Sequence, residues 1–268
     1  MRSTLLVALH VFRDSVRDKV LYSIVAFAVL LMVTSFLIGQ LTAGQDAKII
    51  KDLGLAAMSL FGLFIAIFIG VGLVSREIER RSIYAMLAKP VRRYEFIIGK
   101  YLGLVGTLLV NLTVMAIAYY AVLLYMAVTL PETAFAGRPA ATDPRLLLAI
   151  GLIGAELALV TAVALFWSTF SSSALLSAAL TAGLWVAGQF GSDLRNFDQV
   201  VQSPAAVALA RGLYYVLPNF GAFDIKMQVV NGLPVGAEYV AVTLGYAVVY
   251  IAMLIVAAVL IFSRRDFK

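Results

Sequence analysis

The chain has 268 residues, 62% of them hydrophobic and 13% charged, with a mean hydropathy of +0.97 and a formal net charge of +6. Soluble domains are near half apolar and a quarter charged, so this composition excludes a soluble globular protein and defines an integral membrane protein, expected to be all-α. With no cysteine and a single histidine, His10, disulfides, a thiol nucleophile, a cysteine metal site and a histidine cluster are excluded as well. The positive charge is accounted for by loops that fix membrane topology, and no nucleic-acid partner is expected.

Residues 1–19 predict an amphipathic helix lying on the membrane. Leu5, Leu9, Phe12, Val16 and Val20 recur every three or four residues on one helical face. Arg13, Arg17 and Lys19 hold the polar side, where they can meet anionic headgroups. A simple extension of the first span is the alternative. The segment does not read as a signal peptide. Its apolar run from Thr4 to Leu9 is interrupted by His10 and then by Arg13, Asp14, Arg17 and Asp18, and no small-residue cleavage site follows.

Six spans are expected, at about 20–41, 53–74, 96–130, 146–166, 174–190 and 239–262, each near the roughly 20 apolar residues that a helix needs to cross. The third exceeds that need, so its first turns are expected outside the hydrocarbon. Pro90, Pro131, Pro139, Pro144, Pro204, Pro218 and Pro234 all fall between these runs, as helix breakers should. Gly62, Ala66 and Gly70, the pair Gly99 and Gly103, and Gly154, Ala158 and Ala162 place small residues four apart, the pattern of close span-to-span packing. Fourteen Lys and Arg lie on one side of this arrangement and seven on the other. Positive charge marks the cytoplasm, so both termini are expected inside, with the chain forming one transmembrane domain over 1–268.

Between the fifth and sixth spans lies an outer loop, 191–237. Within it, 205–217 is apolar apart from Arg211 and Gly212, and Pro204 and Pro218 bracket it. Such a run is too short to cross. It predicts a short re-entrant helix, followed by a loop through Asn219, Phe220 and Asp224. An interfacial helix that merely caps the bundle is the alternative.

Chemistry-bearing motifs are few. There is no GxxxxGK[ST]: Gly99-Lys100 lacks both the upstream glycine and a following Ser or Thr, so the chain has no visible means of holding ATP phosphates. GxSxG, HExxH and a metal-binding carboxylate cluster are absent too, and the chain is not expected to be an enzyme or to hold a metal or cofactor itself. Glu156 lies near the middle of the fourth span. A carboxylate there is costly, so it marks a pathway, a proton site or a pairing partner, with helix-to-helix hydrogen bonding as the bland alternative. Asn111 in the third span is a weaker candidate of the same kind, since interhelical amides also serve as packing glue.

The most informative stretch is 75–100, SREIERRSIYAMLAKPVRRYEFIIGK, which holds seven of the 21 Lys and Arg between two apolar runs. Glu77 and Arg81 are four apart in the order that supports a helix. Ile78, Tyr84, Ala85 and Leu87 can supply an apolar side. Pro90 ends the piece, and Arg92, Arg93, Glu95 and Lys100 lead into the third span. A loop serving topology alone would need only arginines. The acidic residues, the tyrosine and the proline point to protein docking.

At this loop the chain resembles the ABC-2-type permeases, membrane subunits of ATP-driven exporters. Their pattern is an acidic pair, a small-Thr step, a leucine-rich turn, Pro-Val-x-Arg and Gly-Lys. Glu77, Glu79, Leu87, Pro90, Val91, Arg93, Gly99 and Lys100 match it, with Arg81-Ser82 in place of the small-Thr step. The entry 12–22, FRDSVRDKVLY, and the ending 262–267, FSRRDF, resemble the branch of the permease of nitrous-oxide reductase maturation.

The resemblance implies a permease that pairs with a second copy and binds two ATPase subunits, which hold ATP and Mg, in a bacterial or archaeal cytoplasmic membrane. It implies that the loop is a coupling helix, with Glu77, Glu79, Arg80, Arg81, Tyr84, Leu87, Pro90, Arg93 and Lys100 as coupling residues. Short helices before the last span would face the exterior. Two other classes stay open. One is a mechanotransmitter acting on an envelope protein through the outer loop. The other is a proton-coupled carrier built on Glu156, although the inverted repeats and broken spans of many such carriers are not seen. The spans do not name a substrate.

Overall fold

Helix boundaries follow the punctuation of the sequence. A computed structural model describes residues 2–40, 46–79, 92–129, 143–171, 173–195 and 203–264, and the regular elements among them are all helical. In chain order they are α1 (Arg2–Val16), α2 (Lys19–Gln40), α3 (Asp46–Glu79), α4 (Arg93–Thr129), α5 (Pro144–Phe170), α6 (Ala174–Gln189), α7 (Gly191–Arg195), α8 (Pro204–Val216), a 3-10 turn (Phe220–Phe223), α9 (Lys226–Val230) and α10 (Ala237–Arg264). Pro144 and Pro204 stand in the first turns of α5 and α8, where a missing N–H costs no helical bond. The carboxylate of Asp143 accepts the Arg145 N–H at 3.0 Å, and Ser173 caps α6.

Among the described residues, four helices are long and apolar enough to cross a membrane: Lys48–Gly72, Arg93–Val128, Pro144–Thr169 and Ala237–Ser263. Six were expected. The other two expected spans fall on α2, a helix of 22 residues, and on the shorter α6. α6 has 16 residues, about 24 Å at 1.5 Å per residue, which falls short of a hydrocarbon core of roughly 30 Å. Its end is closely covered by the returning chain: a β-carbon on Gly188 would meet Pro218 and Phe220, and one on Gly191 would meet Asn219. Outward-facing Phe27, Leu30, Ile117, Leu124, Val248 and Val249 are exposed, a surface suited to lipid.

α3 and α5 form the centre, and their small residues do what the sequence promised. Gly62 meets Leu157, and a β-carbon on Gly70 would fall 2.5 Å from the Ala164 β-carbon, so the two helices run in the same sense at close range. α4 runs against both: Tyr119 covers Gly54 and donates to the Lys51 carbonyl at 3.3 Å, while Gly154 meets Leu112.

The Gly99–Gly103 pair has a different partner from the one expected. It seats α1, not another span. A β-carbon on Gly99 would lie 2.7 Å from the Thr4 carbonyl, and one on Gly103 would lie 2.6 Å from the Ala8 carbonyl. Phe12 then follows at Gly106, so α1 keeps step with the first turns of α4 in the same direction. The face that α1 turns inward is therefore Ala8, Val11 and Ser15, and Leu5, Leu6 and Leu9 stay exposed. α4 has 37 residues, roughly 55 Å, which leaves about 25 Å beyond one crossing. The 15-residue α1, about 22 Å long, accompanies that excess.

The 191–237 loop folds back along α10, and what it buries is not what the sequence singled out. α8 forms as expected between Pro204 and Pro218, yet Leu209, Tyr215 and Val216 on it are exposed. The buried anchors come after it: Phe220, Phe223, Ile225 and Val229. Three tyrosines of α10 fix the depth of the chain here. Tyr250 donates to the Val216 carbonyl at 2.6 Å, Tyr246 accepts from the Asn219 N–H at 2.9 Å, and Tyr239 donates to the Ala222 carbonyl at 2.7 Å. Tyr250 is halfway along α10, so the hairpin tip reaches mid-depth and climbs back. It regains the end of the bundle at Gly232, whose φ of 71° suits only a residue without a side chain. The guanidinium of Arg145 donates to the Gly232 carbonyl there.

The close approach of α1 to α4 is testable. Gly103→Val forces a side chain onto the α1 backbone, which cannot yield as a flexible side chain would. A loss of about 1–3 kcal/mol is expected, read as a lower Tm, with faster amide exchange across residues 4–12. Gly151→Ala, where a β-carbon meets nothing within 4 Å, is expected to leave both readouts unchanged.

Candidate functional site

The loop singled out by the sequence leaves the bundle at the end of α3 and re-enters at the start of α4. Since α3 and α4 run oppositely, both roots lie at one end. Glu77 and Glu79 are on the last turn of α3. Arg80, Arg81, Tyr84, Leu87 and Pro90 lie outside the described residues. Arg93 and Lys100 stand on the first turns of α4.

The start of α4 is organised by its own charges. Glu95, the third residue of the helix, reaches back to accept the Arg92 N–H at 3.4 Å, one half of a capping box. Ser3 of α1 also hydrogen-bonds Glu95, which ties the N-terminal helix to this cap. Arg92 is exposed and donates to the Tyr94 hydroxyl at 3.3 Å. That bond, with the nearby Glu95 charge, raises the pKa of a group already cationic.

Two predicted coupling residues contact the bundle itself, Arg93 from an exposed position and Lys100 from a buried one. Nη1 of Arg93 donates to the carbonyls of Phe262 and Ser263, at 3.1 and 2.9 Å, in the last turn of α10. Lys100 is 1% exposed, with Nζ 4.9 Å from the centre of the Phe96 ring. Phe96 in turn stacks on Phe262, with centroids 5.8 Å apart and planes 20° apart. Lys100 thus holds its charge within the junction of α1, α4 and α10, against the Phe96 ring. The start of α1, the start of α4 and the end of α10 meet at the end of the bundle where the loop is rooted.

Glu156 is 3% exposed, and its Oε1 accepts from Trp185 Nε1 at 2.8 Å and Gln189 Nε2 at 3.1 Å. It clamps α5 to α6 rather than lining an open path. Asp224 and Lys226 of the hairpin, 3.4 Å apart, are near enough for their charges to act on it. Asn111 turns back on its own helix, donating to the Thr107 carbonyl at 2.8 Å. Sequence reasoning passed over Trp185 and Gln189, although their spacing of four puts both on one face of α6. It passed over Tyr239, Tyr246 and Tyr250 too, which share a face of α10. No group of three or more metal-ligating side chains occurs among the described residues.

Removing the Glu156 carboxylate orphans two part-buried donors. Glu156→Leu is expected to cost about 1–2 kcal/mol, read as a lower Tm in detergent. Glu156→Gln, which keeps a carbonyl oxygen for the same donors, is expected to recover most of it.

No curated protein matches the chain. The family model described as ABC-2 family transporter protein matches residues 5–267, taking in the α1–α4 pairing, the loop roots, the Glu156 clamp and the hairpin together. The chain belongs to the ABC-2 transporter family, the membrane components of ABC transporters.

Proposed function

We propose that this chain is the permease subunit of an ATP-driven exporter, working as two copies with two cytoplasmic ATPase subunits. The observation that carries the reading is the convergence at the loop roots. The capped α4 start, α1 and the α10 terminus meet at the end of the bundle where α3 also ends, which is where a partner's motion would enter. The chain has no phosphate-binding loop of its own, so the energy must come from another subunit. The 75–95 segment supplies charged and apolar groups for docking, and the ATPase holds ATP and Mg. A ligand-driven change needs contacts that differ between two states, and this loop is where ATPase closure supplies them. On this reading the loop and both termini are cytoplasmic, and the hairpin faces the outer side. The apolar surface of the spans suits an apolar or amphipathic cargo.

Mechanotransmission shares this entry point. The hairpin favours it as a second reading, because its backbone is hydrogen-bonded to the length of α10 and would follow that helix. Purified complexes in vesicles separate the two: cargo-dependent ATP turnover supports export, and ATP-driven hairpin movement without any flux supports transmission.

Charge reversal at the α3 terminus tests the coupling itself. Glu79→Lys is expected to weaken ATPase retention during purification about tenfold, equivalent to about 1.4 kcal/mol, or to leave the ATPase bound with turnover that no longer responds to the permease. Unchanged retention together with unchanged turnover would sink the assignment.

A further inference from the structure

We infer that α10 is the rod that carries movement from the α3–α4 loop to the hairpin, and that Arg93 is the positioning residue that clamps its near end. The inference rests on the permease reading for the source of the movement, and on geometry alone for its route.

The near end is held by the first residue of α4. The carbonyls of Phe262 and Ser263 belong to the last turn of α10, where carbonyls have no partner within the helix. A guanidinium there satisfies both and meets the negative end of the helix dipole. Phe96 stacks on Phe262 one turn further in. Arg93 is also where the loop ends and α4 begins. A displacement of the loop therefore pulls directly on the α10 terminus.

The far half is bonded to the hairpin. Tyr250, Tyr246 and Tyr239 each make one hydrogen bond to its backbone, at Val216, Asn219 and Ala222. Phe223 packs against the Tyr246 ring, 6.4 Å between centroids. From Phe262 to Tyr250 is roughly 18 Å along the helix, and to Tyr239 roughly 35 Å.

Between these anchors α10 packs along α5 on one side and is exposed on the other. It is the least buried of the four long apolar helices, with 17% of its apolar window buried against 72% for α5, so few neighbours stand in the way of a shift along its axis. The hairpin's other side is set into the core: Phe220 packs at Gly188 of α6, and Val229 is fully buried. A shift of α10 against α5 and α6 therefore shears the hairpin between a moving face and a fixed one.

Hydrogen exchange tests the route without any partner. With the chain in nanodiscs, Arg93→Gln is expected to raise exchange at the 216–222 amides about fivefold, and Arg93→Lys less. The Asn219 amide, bonded to Tyr246, is the direct reporter. Coupling is reciprocal, so Tyr250→Phe is expected to raise exchange at 92–96 and 258–263. Should Arg93→Gln fail to fold, this second variant decides alone. Exchange that rises only beside each substitution would overturn the inference and leave the permease reading intact.

With the ATPase bound, ATP is expected to change exchange at 216–222 in the native chain and not in Arg93→Gln. Loss of the ATPase from the Arg93→Gln complex would make Arg93 a docking contact and overturn its assignment here. A native chain that retains no ATPase would overturn the permease reading, and the source of the movement with it.

Discussion

A backbone amide or carbonyl inside a bilayer has no water to turn to, and leaving it alone costs several kcal/mol. The unusual features of this chain can be read as answers to that constraint. A hairpin with a 3-10 turn at mid-depth is tolerated because Tyr239, Tyr246 and Tyr250 each take one of its exposed backbone groups. At the loop end of the bundle, beyond the crossing, the open carbonyls of the α10 terminus are taken by Arg93. Trp185 and Gln189 donate to Glu156. In each case the polar group and its partner belong to different elements. Satisfying the constraint is therefore also what ties the elements together, and it fixes which of them must move as one.

α4 sets the second scale of the architecture. A helix about 25 Å longer than one crossing needs something to cover its surplus turns, and α1 does so. Close contact without side-chain interference explains why glycine stands at 99 and 103, where any β-carbon would strike the α1 backbone. Because the small side of α1 is used against α4, its leucines remain outward. An amphipathic helix held in this way joins the protein through Ala8 and Val11 and presents Leu5, Leu6 and Leu9 to whatever lies beyond the chain. The hydrogen bond from Ser3 to Glu95 then makes α1 part of the α4 cap.

Much of this was legible because local rules were in control. Helices α3, α4, α5 and α10 enclose the runs expected at 53–74, 96–130, 146–166 and 239–262, save for residue 130 beyond the described residues, since apolar length fixes them. Proline placed the starts of α5 and α8. The glycine spacings were visible, but their partners were not: a small-residue stripe says that something approaches and is silent about what. For this reason Gly99 and Gly103 read as a span contact. The fifth run, expected at 174–190, coincides with α6 at Ala174–Gln189, and it is its short length rather than its bounds that sets it apart from the four long apolar helices. Glu156 drew attention through its cost, whereas Trp185, Gln189 and the tyrosines did not, because their hydrogen bonds cross between elements far apart in sequence. The loop's charge pattern marked its roots, but not that Arg93 bonds the α10 terminus or that Lys100 is buried beside Phe96, because one partner lies far off in sequence and the other shows only in the packing of α4.

These bonds also bear on what Glu156 can do. A carboxylate that receives two donors from α6 and is 3% exposed is closed to any passing molecule while α5, α6 and the hairpin stay in place. Around it the core of a single chain is filled by Leu152, Ile153, Leu157, Phe220 and Phe223, all buried. In this arrangement the middle of the chain around Glu156 is packed, among the described residues, with apolar side chains. The Asp224–Lys226 pair of the hairpin sits near enough for its charges to act on Glu156. The clamp between α5 and α6 and the hairpin are thus joined by charge as well as by packing, and a change at one is felt at the other.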